Sequence, residues 1–375
     1  MLRRLLLVFL AAACSPAPGR APDLRLWHTF NADETALLNE ALAEIREAGG
    51  PTVAAVILPF GQAQNRLRHA LAGAACPDLA RIDATWLPAL AAAKLLAPAP
   101  PELVAGHRTA ARELVAAFGE SWGIPQSLDG LVLLYDPRLA AQPAAPASLD
   151  ALEAQARAAA PRGGFGLSLR ADGYWFLALV RAEGGDLADA TGDAGLRALR
   201  RWVGWERSGL VPLPEPGGDE GQTEARRFAA GELAFLVGGP WTVAALRRAG
   251  APVDPGVLPL PGAPPVGGHV YVVPRCARHP AQAWALADRL TAAPLQIAWS
   301  RRLGVVPTRE AALAEAGPLA RAFDAALQKG RTLPRDAATP SRFDDLTPAV
   351  EAALLGDATP EEALAGVTAS WSVLP

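Results

Sequence analysis

Asp83 follows an apolar run that reads as a strand, Asp129 lies in the polar interruption after Gln126, Ser127 and Leu128, and aromatic residues stand near strand ends or helix starts at Trp27, Trp175 and Trp241. A carboxylate pair can hydrolyse a glycosidic bond, one acid protonating the leaving oxygen while the other serves as nucleophile or base. The same groups can bind without reacting. A carboxylate accepts hydrogen bonds from hydroxyls, and an indole stacks on the C–H face of a sugar. Carboxylates beside indoles also suit a quaternary ammonium or a polyamine through cation–π contact. Each candidate has a purely structural use as well. Asp83 can cap the helix near Trp86, Asp129 can be a polar turn residue, and Trp175, next to Tyr174 at a helix start, can be core. His28 and Trp27 end the first apolar strand, and of the two His28 is expected to reach a ligand. Trp241, after Gly238-Gly239-Pro240, is the strongest aromatic candidate, whereas Trp202, Trp205 and Trp284 sit on apolar helix faces. The chain has no nucleophile elbow, HExxH or GxxxxGK[ST] motif and no Cys or His pair at metal spacing, so neither cofactor nor metal is expected.

Elements of two periodicities must position these residues. Leu24–Trp27, Val53–Leu58 and Leu79–Ile82 read as strands. Between and after them, Asn31–Ala48, Ala63–Ala72 and Leu87–Ala93 read as helices, the first stopped by Gly49-Gly50-Pro51. This βαβαβ order belongs to a mostly parallel sheet, whose strand C-termini form the crevice where ligands bind. Gly123–Asp136 is a long apolar run interrupted at Gln126–Gly130 and reads as one strand leaving one lobe for another. Pro143–Ser148 is a loop, after which helices dominate, with strands at Phe165–Leu169, Leu233–Val237 and Val270–Val273.

The 375 residues are enough for two cores, and 35 basic against 38 acidic residues leave no cationic stripe for nucleic acid. The start combines Arg3-Arg4, an apolar run Leu5–Ala13 too short to span a bilayer, and Cys14. It reads as a secretory leader over residues 1–13. Ala11-Ala12-Ala13-Cys14 resembles a bacterial lipobox, which implies a lipid on Cys14 and an extracytoplasmic, membrane-anchored protein. Residues 14–22 are then a Pro- and Gly-containing tether. Cys76 and Cys276 remain, and in an oxidising compartment they are a candidate disulfide, the alternative being two separate thiols.

Four stretches, in this order, resemble the extracellular solute-binding proteins of bacterial ABC importers, specifically the maltose-binding-protein-like sugar-binding group. They are LWHTFNADETALLNEALAEI from residue 26, PDLARIDATWLPALAAAKLL from 77, GIPQSLDGLVLLYDPRL from 123 and GELAFLVGGPWTVAAL from 231. The resemblance implies an α/β fold of two lobes closing on a ligand, residues 23–130 and 269–307 forming the N-terminal lobe and 131–268 and 308–375 the C-terminal one. It implies a monomer that captures a carbohydrate and delivers it to an ABC permease driven by its ATPase. Asp83, Asp129, Trp241, His28, Trp175, Gly268 and His269 are the ligand-binding residues it implies, with histidine standing where relatives carry an aromatic residue. Arg335 and Phe343 fall where the family places further contacts. On the family's sheet order, Val270–Val273 runs antiparallel to the third strand. Cys76 and Cys276 each lie seven residues from a shared level marked by Asp83 and His269, which puts their thiols at similar depth.

Overall fold

The computed structural model describes residues 21–73, 75–214 and 220–372. The leader, Cys14 and most of the tether lie outside the described residues. Twelve strands are described: β1 Leu24–His28, β2 Val53–Ile57, β3 Leu79–Asp83, β4 Ala116–Ala117, β5 Glu120–Ser121, β6 Ile124–Gly130, β7 Val132–Tyr135, β8 Phe165–Ser168, β9 Leu233–Gly238, β10 Gly256–Leu258, β11 Pro265–Val272 and β12 Arg331–Thr332. They form two main sheets. The first runs β12-β11-β3-β1-β2 with β6 on the other side of β11; the second runs β10-β7-β9-β8. β1 pairs in parallel with β2 and β3, as βαβ connections require, while β11 runs antiparallel to β3 and β6.

Local chemistry sets the element boundaries. Helix Ala32–Glu47 begins at a capping box in which Asn31 Oδ1 accepts from Glu34 N at 3.0 Å and Glu34 Oε2 accepts from Asn31 N at 2.9 Å. Helix Phe60–Ala72 starts three residues earlier than its sequence pattern, directly after Pro59. The run read as one strand over 123–136 is two: β6 belongs to the first sheet and β7 to the second, divided at Gly130-Leu131. A Cβ on Gly130 would lie 2.6 Å from the Pro265 carbonyl oxygen and 2.8 Å from Leu327 Cδ2, so the crossing needs glycine for close approach.

The chain crosses between the sheets after β6, before β11 and after β12. Two sequence-based boundaries move accordingly. β11 begins at Pro265 rather than Val270, because Val266, Gly267 and Gly268 pair with Gly130, Asp129 and Leu128; the glycines hid that strand start. The strands of the first sheet do not end with β11 either. Arg331 and Thr332 pair with Pro265 and Val266, a two-residue strand without a readable pattern, after which Leu333 and helices Thr339–Leu355 and Pro360–Trp371 join the core of the second sheet.

That core buries Leu131, Leu133, Phe235 and Val237 from one sheet face with Phe176, Trp202, Trp205 and Leu346 from the covering helices. Leu24, Leu26, Leu79, Ile82 and Val270 anchor the other core. At the crossings, the buried Arg181 of helix Gly173–Ala182 donates to the carbonyls of Arg331 (2.7 Å), Thr332 (3.1 Å) and Ala263 (3.3 Å) and pairs with Asp186 at 2.8 Å. One planar fork thus ties two of the crossing segments to the second lobe. In the first lobe, Cys76 and Cys276 form a disulfide with a Cα–Cα distance of 6.1 Å.

Candidate functional site

The ladder around β11 brings the carboxylates together. His269 is level with Asp83 on β3 and Ser127 on β6, and Gly267 is level with Asp129. His269 Nδ1 donates to Asp129 Oδ2 at 2.9 Å, both side chains being about one-seventh exposed, at 15% and 14%. Asp83 receives the Thr85 amide at 2.8 Å and the Thr85 hydroxyl at 2.6 Å, capping the short 3-10 turn Ala84–Trp86. Both bonds use Oδ1, so the cap reading of Asp83 is compatible with a ligand on Oδ2. Burial pushes the Asp83 carboxyl above the usual carboxylate range; His269 opposes this and Asp129 adds to it.

The second lobe faces this group with aromatic rings. β9 ends at Gly238, and Gly239-Pro240 delivers Trp241 to the start of helix Thr242–Arg248. A Cβ on Gly239 would sit 2.3 Å from the Trp241 ring and 2.7 Å from the Gly130 carbonyl oxygen. Glycine there lets the indole fold down beside the crossing. Trp241 packs edge-on against Trp175 at 6.1 Å, and Trp175 against Tyr174 at 5.9 Å. The Tyr174 hydroxyl donates to the Pro265 carbonyl at 3.3 Å, next to Gly267 and Asp129. Burial, then Asp129 and Asp83, raise the Tyr174 phenol well above its usual value, so it stays a neutral hydrogen-bonding group.

Asp83, Asp129 and His269 therefore meet on adjacent strands with Tyr174 of the second lobe beside them, and Trp241 joins this group through Trp175. Three other expected positions do not have open side chains. His28 shares the inward face of β1 with Leu24 and Leu26, is 1% exposed, and accepts the Phe30 amide at Nδ1 (3.3 Å); burial, with Arg81 nearby, lowers its pKa to about 4. Trp175 is buried, its Nε1 donating to the Val237 carbonyl at 2.7 Å, which makes it the backing of Trp241. Gly268 is buried in the ladder, where a Cβ would meet the Ser127 carbonyl oxygen at 2.1 Å; strand packing accounts for this glycine. Phe343 lies against Tyr174 at 5.8 Å, and Arg335 donates to the Ala116 carbonyl at 3.0 Å.

The structure adds two residues that sequence reasoning missed. Phe60 is 53% exposed and packs on Trp86 (5.5 Å) and His269 (6.4 Å), forming an apolar wall beside Asp83. Its signal was a bulky aromatic directly after Pro59, at a helix start where polar residues are usual. Arg81, two residues before Asp83, is buried with its guanidinium 3.9 Å over Phe30, donating to Gln126 Oε1 and Thr29 Oγ1 at 3.0 Å each. It fixes the segment preceding Asp129 from β3. A cavity of about 410 Å³ lined by Val104, Arg112, Glu113 and Ala116 shares no residue with this cluster. The strand-end position of the cluster, where ligands bind in open α/β sheets, is the better guide to function.

Comparison with known proteins agrees with this geometry. Residues 40–327 match the family model described as bacterial extracellular solute-binding protein. A maltotriose-binding protein of Pyrococcus abyssi is 26% identical over 63% of this chain, and the match spans about half, 53%, of that protein's length. Among solved structures, the GacH receptor of Streptomyces glaucescens, determined unliganded and with acarbose, superposes with a TM-score of 0.81 at 27% identity, covering 93% of this chain and 97% of that one. The Thermus thermophilus maltotriose binding protein superposes with a TM-score of 0.79 at 22% identity over 92% and 98% of the two chains. Two lobes joined by three crossings, with carboxylates and indoles gathered at the strand ends between them, and a family match over most of the chain place this protein among the bacterial extracellular solute-binding proteins.

Proposed function

We propose that this protein binds a sugar of the maltooligosaccharide type between its lobes and hands it to an ABC permease, without breaking a covalent bond. One observation carries the reading: hydrogen-bonding carboxylates on β3 and β6 meet Tyr174 of the second lobe, which packs on Trp175 and through it on Trp241. Carboxylates and neutral phenols suit hydroxyl groups, and flat rings suit the apolar faces of pyranoses. The chemistry named for the relatives points the same way, maltotriose for the Pyrococcus protein and acarbose for the Streptomyces receptor. In this reading Asp83, Asp129 and His269 hold hydroxyls from the first lobe while Trp241 and Tyr174 cover the sugar from the second. Contacts to both lobes favour the closed form, so ligand and closure stabilise each other. A lipid on Cys14 would keep the protein at the membrane beside its permease.

Calorimetry with maltotriose, acarbose and choline tests this. Saturable binding of the two sugars, weakened at least about tenfold in Asp83→Asn, is the expected result. Heat with choline and none with either sugar would replace the sugar by a cationic amine, and release of glucose from maltotriose would mean a glycosidase. Loss of detergent-phase partitioning in Cys14→Ser checks the anchor.

A further inference from the structure

The helix that begins at Trp241 ends on the opposite lobe. At the C-terminus of Thr242–Arg248, Arg248 forms an ion pair with Asp33, in the first turn of helix Ala32–Glu47. Its neighbour Arg247 donates through Nη1 to the carbonyl of Arg302 at 2.6 Å, at the end of helix Ala293–Leu303. Both acceptors belong to the first lobe, where these two helices pack on each other. The Arg247 contact is braced at both ends. Arg247 is gripped by Asp254 through two bonds of 2.9 and 2.8 Å, and Arg302 is gripped by Glu40 at 2.5 Å. The contacts are solvent-accessible, with Arg248 48% and Asp33 37% exposed, and neither touches the carboxylate cluster.

We infer that Arg247 and Arg248 form an interlobe clasp that sets ligand affinity from outside the binding site. This rests on the sugar-binding reading above. Hinge rotation about the crossings at Gly130, Pro265 and Thr332 separates the two helices and breaks both contacts, so they count only toward the closed form. Where closed molecules are the minority without ligand, every factor gained in their population is a factor gained in apparent affinity. Exposed ion pairs are individually weak, which sets the scale at about two- to fivefold in Kd. The device acts mainly on release, because a latch made after closing slows opening more than capture. Asp33 follows directly on the turn after β1, and Arg248 lies on the helix led by Trp241. The helix led by Trp241 thus carries a residue of the proposed site at one end and a contact that holds the lobes shut at the other.

The test is a double-mutant cycle on maltotriose binding with Asp33→Asn and Arg248→Gln. Arg200→Gln is the control, since Arg200 pairs with Glu361 within the second lobe. Each clasp variant should raise Kd about two- to fivefold, chiefly through a faster off-rate, and the double variant should be no worse than the weaker single. The gap to the parent should close in high salt, because screening removes it. Additive effects, salt-insensitive effects, or a Kd equal to that of the parent would overturn the clasp while leaving sugar binding intact. Should the parent bind no maltotriose, the sugar reading fails, and a short bismaleimide applied to the Asp33→Cys/Arg248→Cys variant decides the clasp. Intramolecular cross-linking supports it and absence of cross-linking refutes it.

Discussion

Asp83 stands where β3 ends and Asp129 where β6 ends, with His269 between them on β11, so two carboxylates and an imidazole meet on neighbouring strands. Because burial raises the Asp83 carboxyl, its acceptor strength is lost earlier on acidification than for an ordinary aspartate. Maltotriose affinity should therefore fall as pH is lowered, starting above the usual aspartate range, and the Asp83→Asn variant should flatten the profile in calorimetry repeated across pH. Trp241 and Trp175 separate by role. Trp241→Ala should weaken sugar binding by about 1 kcal/mol or more with little loss of fold stability. Trp175→Phe removes the donor to Val237 and should instead lower the melting temperature. Paired thermal and calorimetric measurements check both. The strand-end positions of Asp83 and Trp241 were legible because each follows an apolar strand run, whereas Asp129 lies in the polar interruption of the crossover and was singled out by the resemblance. His28 was misread although the alternation of β1 places it with Leu24 and Leu26, and Phe60 was missed because nothing in a local pattern shows which side of a helix start faces a gap.

Elements with a clear apolar period of their own could be read to within a few residues, as with Asn31–Ala48 and Leu79–Ile82 against the observed Ala32–Glu47 and Leu79–Asp83. Those defined by distant partners could not. β10, β12 and the first half of β11 exist because of strands that lie far away in sequence, and two or three residues with glycine and proline carry no period. The crossings are held by comparably nonlocal contacts. Arg181→Met would remove one charge from a buried set of carbonyl and carboxylate acceptors, and denaturant titration should show a loss of about 3–5 kcal/mol. Gly268→Ala should fold poorly or lose stability, because its methyl group would meet the Ser127 carbonyl oxygen in a ladder that cannot widen without breaking pairs to Asp83 and Asp129.

Across the whole molecule, two buried histidines make stability depend on pH. His28 is lowered to about 4 and His107 to about 3, burial being the main cause in both, so the native chain keeps them neutral. The unfolded chain takes up these protons near pH 6.5, which means stability is complete above that value and declines below it, for His28 until about pH 4 and for His107 until about pH 3. Each histidine contributes a slope of about 1.4 kcal/mol per pH unit in its window. Chemical denaturation at pH 7 and pH 5 should register the loss, and His28→Gln should halve it. The disulfide between Cys76 and Cys276 bears on biogenesis. Its halves are 200 residues apart, on either side of everything that builds the second sheet. A chain threading out of the cell N-terminus first would expose one thiol early and leave it waiting until the whole intervening unit had emerged. The portion exported first is thus the last to be sealed, and an oxidant acting too soon would meet a solitary sulfur with no proper mate.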